Sequence, residues 1–204
     1  MPELPEVQTV VNQLKPVLVN KSIHNIKTYW NPVIRNIKID DFNKHLTSKV
    51  IKNVFRKAKF ITIEFKHGFL LCHLRMTGQL FVKNEIPNDL KHIHIIFRLN
   101  NNEYLIFKDV RKFGGFYFYK NLNSVNQKLG IDPFDDNFTE DKLIQIFKSK
   151  NRQVKALILD QRIITGMGNI YTDEALWNSK IHPLSQSSKI SIPSSYTLLV
   201  PNSV

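Results

Sequence analysis

The stretch His92-Ile93-His94-Ile95-Ile96-Phe97-Arg98-Leu99, followed by Asn100-Asn101-Asn102 and then Glu103-Tyr104-Leu105-Ile106-Phe107, decides the fold. Ile93, Ile95, Phe97 and Leu99 recur at every second position, which on an extended chain sets them on one face. Three consecutive asparagines favour a turn, so two strands lie back to back here. Working upstream, Lys59-Phe60-Ile61-Thr62-Ile63-Glu64-Phe65 has the same texture, and Lys66-His67-Gly68 supplies a turn into Phe69-Leu70-Leu71. Short β-type runs continue from Ser22 to about Tyr119, at a spacing that suggests a β-sandwich.

Either side of this block the periodicity is helical. A helix is expected from about Pro5 to Lys15: Pro5 suits a first helical position, Glu6 suits the positive end of the dipole, and Val7, Val10, Val11 and Leu14 share a face. Pro16 is expected to end it. Downstream, Leu129-Gly130-Ile131-Asp132-Pro133 and Asp135-Asp136 read as linker, followed by helical patterns over Lys142 to Ser149, Gln153 to Asp160 and Ile170 to Ser179. The fold class is α+β: an N-terminal β-sandwich with a flanking helix over residues 1–120, a linker over 121–140, a helical region over 141–184, and a Ser-rich tail over 185–204.

Composition narrows the partners. With 29 Lys and Arg against 17 Asp and Glu, the net charge is +12, so the chain concentrates polyanions around it. Nucleic acid leads, with an anionic membrane surface behind it. No apolar run is long enough for a membrane span, and the acidic, Pro-rich Met1-Pro2-Glu3-Leu4-Pro5-Glu6 is the reverse of a secretory signal. A soluble, cytoplasmic, monomeric protein is expected. One cysteine, Cys72, excludes an internal disulfide framework and any multi-cysteine zinc site; within an apolar run it reads as a small buried thiol.

The amino terminus can carry chemistry. If Met1 is removed, Pro2 presents a secondary amine, and a free α-amino group titrates near ~7.7–8, against ~10.4 for lysine. A neighbouring helix N-terminus disfavours its protonated form further. Such an amine can attack an electrophilic sugar carbon and give an iminium, with Glu3 and Glu6 close by for proton transfer. By itself, Pro-Glu-x-Pro-Glu is far more often just a helix start.

Met1-Pro2-Glu3-Leu4-Pro5-Glu6-Val7 resembles the N-terminal signature of the formamidopyrimidine-DNA glycosylases; the related endonuclease VIII branch usually has Gly where this chain has Leu4. Further blocks follow in the family's order: Arg56-Lys57-Ala58-Lys59, His73-Leu74-Arg75-Met76-Thr77-Gly78, Lys91-His92-Ile93-His94, Asp109-Val110-Arg111-Lys112-Phe113-Gly114, Leu129 to Pro133, and Gly166-Met167-Gly168-Asn169-Ile170-Tyr171. The resemblance covers about residues 1 to 184. It implies that Pro2 is the nucleophile at the sugar C1′ and Glu3 a proton donor, and that Lys59, in a predicted strand, assists β-elimination beside a phosphate. It implies that Met76, Arg111 and Phe113 fill the gap left by a flipped nucleotide, although a core Met and a core Phe remain open readings. It also implies DNA contacts at His92, Arg111, Lys150, Lys155 and Asn169. The last two belong to a helix–two-turn–helix element. Damaged double-stranded DNA is the implied partner. The chain departs from the family at Ile93, where an acid is usual, at Val110, where Pro is usual, and at Gln8, where Glu is common.

The family continues into a four-cysteine zinc finger. Residues 185–204 do not read like the family, and Cys72 lies in the wrong domain, so no cofactor and no metal site are expected. A weaker, salt-dependent grip on DNA follows as an expectation, with impaired second elimination and impaired recognition of 8-oxoguanine. Two other readings stay open: a catalytically inactive DNA-binding remnant, and a basic RNA-binding protein.

Overall fold

The computed structural model describes residues 1–190. The chain divides into two compact units, one from Met1 to Leu122 and a second that begins at Asn123.

The first unit is a sandwich of two four-stranded sheets. Its elements are α1 (Leu4–Leu18), β1 (Ile23–Thr28), α2 (Ile39–Leu46), β2 (Ile51–Lys57), β3 (Phe60–Phe65), β4 (Gly68–His73), β5 (Gly78–Lys83), β6 (Ile93–Leu99), β7 (Tyr104–Asp109) and β8 (Gly115–Tyr119). One sheet has the order β1-β6-β7-β5 and the other β2-β3-β4-β8, and every pairing is antiparallel. Between them lie Ile95, Phe97, Leu99, Leu105 and Phe107 from the first sheet and Ile61, Ile63, Leu70, Cys72 and Phe116 from the second. The Phe116 ring meets Phe97 edge-on at 5.4 Å and Phe107 at 5.2 Å. Val7, Val11, Leu14 and Leu18 of α1 close one end of this core, so the helix that follows Pro2 is fixed by its apolar face.

Tertiary packing overrides the local sequence rules at two places in this unit. Helix α1 runs on to Leu18 with Pro16 inside it. The helix loses the hydrogen bond that the Pro16 nitrogen cannot donate, and the complete burial of Leu18 offsets that loss. Ile93 does not share a face with Ile95, Phe97 and Leu99. The β6–β7 register slips between Ile93 and Ile95, so an extra residue reverses the alternation. Ile93 joins Ile96 and Ile106 in a separate outer cluster.

In the second unit, α3 (Asn123–Asn126) lies where a linker was read. α4 (Glu140–Ser149), α5 (Val154–Ile158) and α6 (Asn169–Asn178) follow. Thr139 caps α4 through its side-chain oxygen. Leu143, Phe147, Val154, Leu157, Ile158, Ile164, Leu176 and Ile181 form the core. Residues 185–190, assigned to the tail from sequence, are tied into this unit. The Ser185 carbonyl accepts the Val154 N–H at 2.9 Å, the Ser187 N–H donates to the Arg152 carbonyl at 2.8 Å, and Ile190 packs on the core. The rest of that tail lies outside the described residues.

Candidate active site

The start of α1 and the β2–β3 turn bring the predicted chemical groups together. Glu3, buried, is the N-cap of α1 and shares a reciprocal capping box with Glu6. The Glu3 carboxylate accepts the Glu6 N–H, and the Glu3 N–H donates to Glu6 Oε2 at 2.8 Å. Glu6 is thus engaged in shaping the helix start. Pro2, half-buried, stands directly before this cap, beside the positive end of the helix dipole.

Lys59 is not in a strand. Ala58 and Lys59 are the two turn residues between β2 and β3, with Lys57 paired to Phe60. Ala58 takes the left-handed conformation (φ 53°) that a two-residue hairpin demands. Arg56 ties this turn to α1: its Nη1 donates to the Ala58 carbonyl and its Nε to Gln8 Oε1, both at 3.1 Å. Lys59 is only 7% exposed. Burial pushes its ammonium group below the ordinary lysine range; the Glu3 carboxylate pulls it back up and Arg75 adds to the lowering. The Glu3 charge therefore reaches Lys59, and Pro2 directly precedes Glu3 in the chain.

His73, at the end of β4, belongs to the same neighbourhood and was named from sequence only as part of a block. Its Nδ1 accepts the Arg75 backbone N–H at 3.0 Å, and its ring meets Phe60 edge-on at 4.8 Å. Burial, then the charges of Arg75 and Lys59, lower its pKa to about 3. The imidazole is neutral, with its proton on Nε2.

Met76, Arg111 and Phe113 sit on the β4–β5 and β7–β8 loops and come together in space. Met76 is 46% and Phe113 51% exposed, so neither is a core residue. The Arg111 guanidinium lies 4.7 Å from the Phe113 ring centroid, and its Nη1 donates to Met76 Sδ at 3.1 Å. An apolar pair held by a cation, facing outward, is what a space-filling wedge requires. His92, left-handed at φ 66°, precedes β6, and its carbonyl accepts the Asp109 N–H at 2.9 Å.

In the helical unit, Asn169 is exposed at the first position of α6, after the N-cap Gly168. Gln161 shapes the turn before it: Nε2 donates to the Met167 carbonyl at 2.7 Å, and Oε1 accepts the Gly166 N–H at 2.9 Å. Gly166 sits at φ 91°, where a side chain would be strained. Lys155 is paired to Asp173 of α6 at 2.7 Å. Lys150 is exposed at the C-cap of α4, its carbonyl taking the Ser187 hydroxyl. The Arg162 and Arg152 side chains, bonded to Asp160, hold its carboxyl well below the usual range.

Residues 1–116 match the family model described as the formamidopyrimidine-DNA glycosylase N-terminal domain, and residues 129–202 match that of its H2TH domain. The chain belongs to the formamidopyrimidine-DNA glycosylase family. A formamidopyrimidine-DNA glycosylase from Oceanobacillus iheyensis is 37% identical over 196 residues, covering 94% of this chain and 70% of the relative. One from Streptococcus agalactiae is 39% identical over 188 residues, covering 90% and 68%. Among solved structures, the Lactococcus lactis formamidopyrimidine-DNA glycosylase non-covalently bound to DNA containing an AP site matches with a TM-score of 0.87 and 30% identity, over 97% of this chain and 77% of that one. The Lactococcus lactis protein in complex with DNA containing FAPY-dG matches equally well, with a TM-score of 0.87 over 97% and 76%.

This glycosylase is thus a DNA-repair enzyme by family. Among the described residues no group of three His, Cys, Asp or Glu side chains could hold a metal. The single cysteine, Cys72, is fully buried in the sandwich, where burial and then the Asp109 charge push its thiol pKa up. Sequence reading missed the roles of Arg35, Arg56, His73 and Asp109; three of them lay inside blocks already quoted, but only the folded hydrogen bonds give them partners.

Proposed function

We propose that this chain releases oxidised purines, 8-oxoguanine and formamidopyrimidines, from double-stranded DNA and then nicks the strand through a Schiff base on Pro2. The carrying observation is the juxtaposition of a buried Glu3 and a buried, pKa-depressed Lys59 at the N-terminus of α1, beside Pro2. After Met1 removal, the neutral Pro2 nitrogen attacks C1′, the C1′–base bond breaks, and the departing base takes the proton that the Pro2 nitrogen gives up. Glu3, after taking a proton from water, passes it to O4′ as the C1′–O4′ bond opens, which leaves a C1′=N iminium. Removal of a C2′ proton then expels the 3′ phosphate by β-elimination, and water hydrolyses the iminium to free the amine. Lys59, whose burial raises its neutral fraction, assists the C2′ deprotonation and contacts the adjacent phosphate when charged.

Met76, Arg111 and Phe113 occupy the space vacated by the extruded nucleotide, offsetting part of the lost stacking. His92, Lys150, Lys155 and Asn169 contact the backbone; Lys155 exchanges Asp173 for a phosphate. The net charge of +12 supports DNA as the partner. Among the described residues no helix is long and apolar enough to cross a membrane. One copy working on cytoplasmic DNA completes the reading. Borohydride added to protein and abasic-site DNA should trap a covalent adduct, and blocking the Pro2 α-nitrogen by acylation should abolish it. A folded protein with Met1 removed and no adduct would sink the proposal.

A further inference from the structure

Asp109 ends β7, is fully buried, and makes no ion pair among the described residues. A carboxylate in that position is costly unless its lone pairs are filled. Its donors come from the two loops that carry the exposed trio. Oδ1 accepts the Thr77 hydroxyl and the Arg111 N–H at 3.1 Å, and Oδ2 accepts the Gly114 N–H at 2.8 Å. Thr77 Oγ1 also accepts the Arg111 N–H at 3.1 Å, so one hydroxyl and one carboxylate stitch the Met76 loop to the Arg111–Phe113 loop. The Asp109 backbone is pinned as well: its N–H donates to the His92 carbonyl, and its carbonyl oxygen meets His94 Nε2 at 2.7 Å. On the other side of the loop, Arg35 Nη2 donates to the carbonyls of Lys112 and Phe113 at 3.2 Å and of Gly114 at 2.7 Å. The loop's N–H groups thus rest on a buried anion and its carbonyls on a guanidinium, around a left-handed Lys112 (φ 60°).

We propose that Asp109 is a positioning residue that presets Met76, Arg111 and Phe113 in their outward arrangement before DNA arrives, with Arg35 as its counterpart on the carbonyl side. The conformation that satisfies the buried carboxylate is the one that raises the three side chains together, so little ordering is left to occur at the moment of nucleotide extrusion. The inference rests on the proposed wedge role of the trio.

Asp109→Asn keeps the shape but aims an amide donor at a backbone donor. Single-turnover base release from a lesion-containing duplex should fall roughly tenfold or more, the scale of an unsatisfied buried polar group. Borohydride trapping on a single-stranded abasic oligonucleotide, which has no stack to open, should be unchanged. The fluorescence rise of 2-aminopurine placed beside the lesion, which reports unstacking, should slow in step with base release. Thr77→Val, which removes only the shared hydroxyl, should give a smaller loss with the same split, and it carries the comparison if Asp109→Asn does not fold. Equal loss on both substrates by a folded variant, or no loss on the duplex, overturns the inference. If the wild type itself traps no adduct, the Schiff-base reading fails instead, and the 2-aminopurine difference between wild type and variant still decides the role of Asp109.

Discussion

Acidification should loosen the first unit through His73 well before the carboxylates titrate. The folded pKa of this imidazole is about 3, against an ordinary 6.5, because burial and the charges of Arg75 and Lys59 disfavour the cation. A depressed folded pKa contributes stability that is fully present above the unfolded value and is lost as pH falls from about 6.5 towards 3. Between pH 7 and pH 5 the loss works out at about 2 kcal/mol. The geometry gives the same sign: a proton on Nδ1 would face the Arg75 N–H that now donates to it at 3.0 Å. Arg75 is left-handed at φ 56° and directly precedes Met76, so the disturbance should reach the wedge. Urea unfolding of wild type and His73→Gln at both pH values isolates the effect, since Gln can accept the same N–H but does not titrate. Wild type should lose about 2 kcal/mol more than the variant over this interval. Parallel pH dependences for the two proteins would show that His73 is not the titrating group.

Phe113→Ala should leave stability within about 0.5 kcal/mol because the ring is half exposed. Base release from duplex DNA should slow by roughly one to two orders of magnitude, the scale of one lost base–aromatic stack; a large drop in melting temperature would instead mark it as a core residue. Glu6→Ala should cost about 0.3–1.5 kcal/mol by opening the capping box, and Glu6→Gln should retain adduct formation if capping is its role; trapping yields and melts of both variants check this. Gly130→Ala should destabilise the helical unit by about 1–3 kcal/mol in chemical denaturation, because its Cβ would lie 2.2 Å from the Ile163 carbonyl carbon and oxygen.

Strands such as β6 and β7 were legible because alternation and asparagine turns are local signals. The bulge at His94 was not, since an extra residue shows only against its partner strand, and it moved Ile93 to the outer face. Lys59 read as the first residue of a strand because nothing local distinguishes a hairpin turn of Ala-Lys; the left-handed Ala58 is imposed by pairing on both sides. Pro16 read as a terminator because the rule is local, whereas the burial of Leu18 is tertiary. In the site, the exposed trio was named from its motifs, but its mutual contact and the clamp by Asp109 and Arg35 join residues as far as 79 positions apart. Residues 185–190 read as tail because serines carry no periodicity, yet their backbone and hydroxyl groups serve α4 and α5.

The role of Pro2 is tested most directly by trapping the protein on abasic-site DNA with borohydride, digesting it, and locating the adduct by mass spectrometry. A single modified peptide is expected, beginning at Pro2 and carrying the sugar on its α-nitrogen. Modification on Lys59 or another lysine, with the Pro2 amine free and unmodified, would contradict that role.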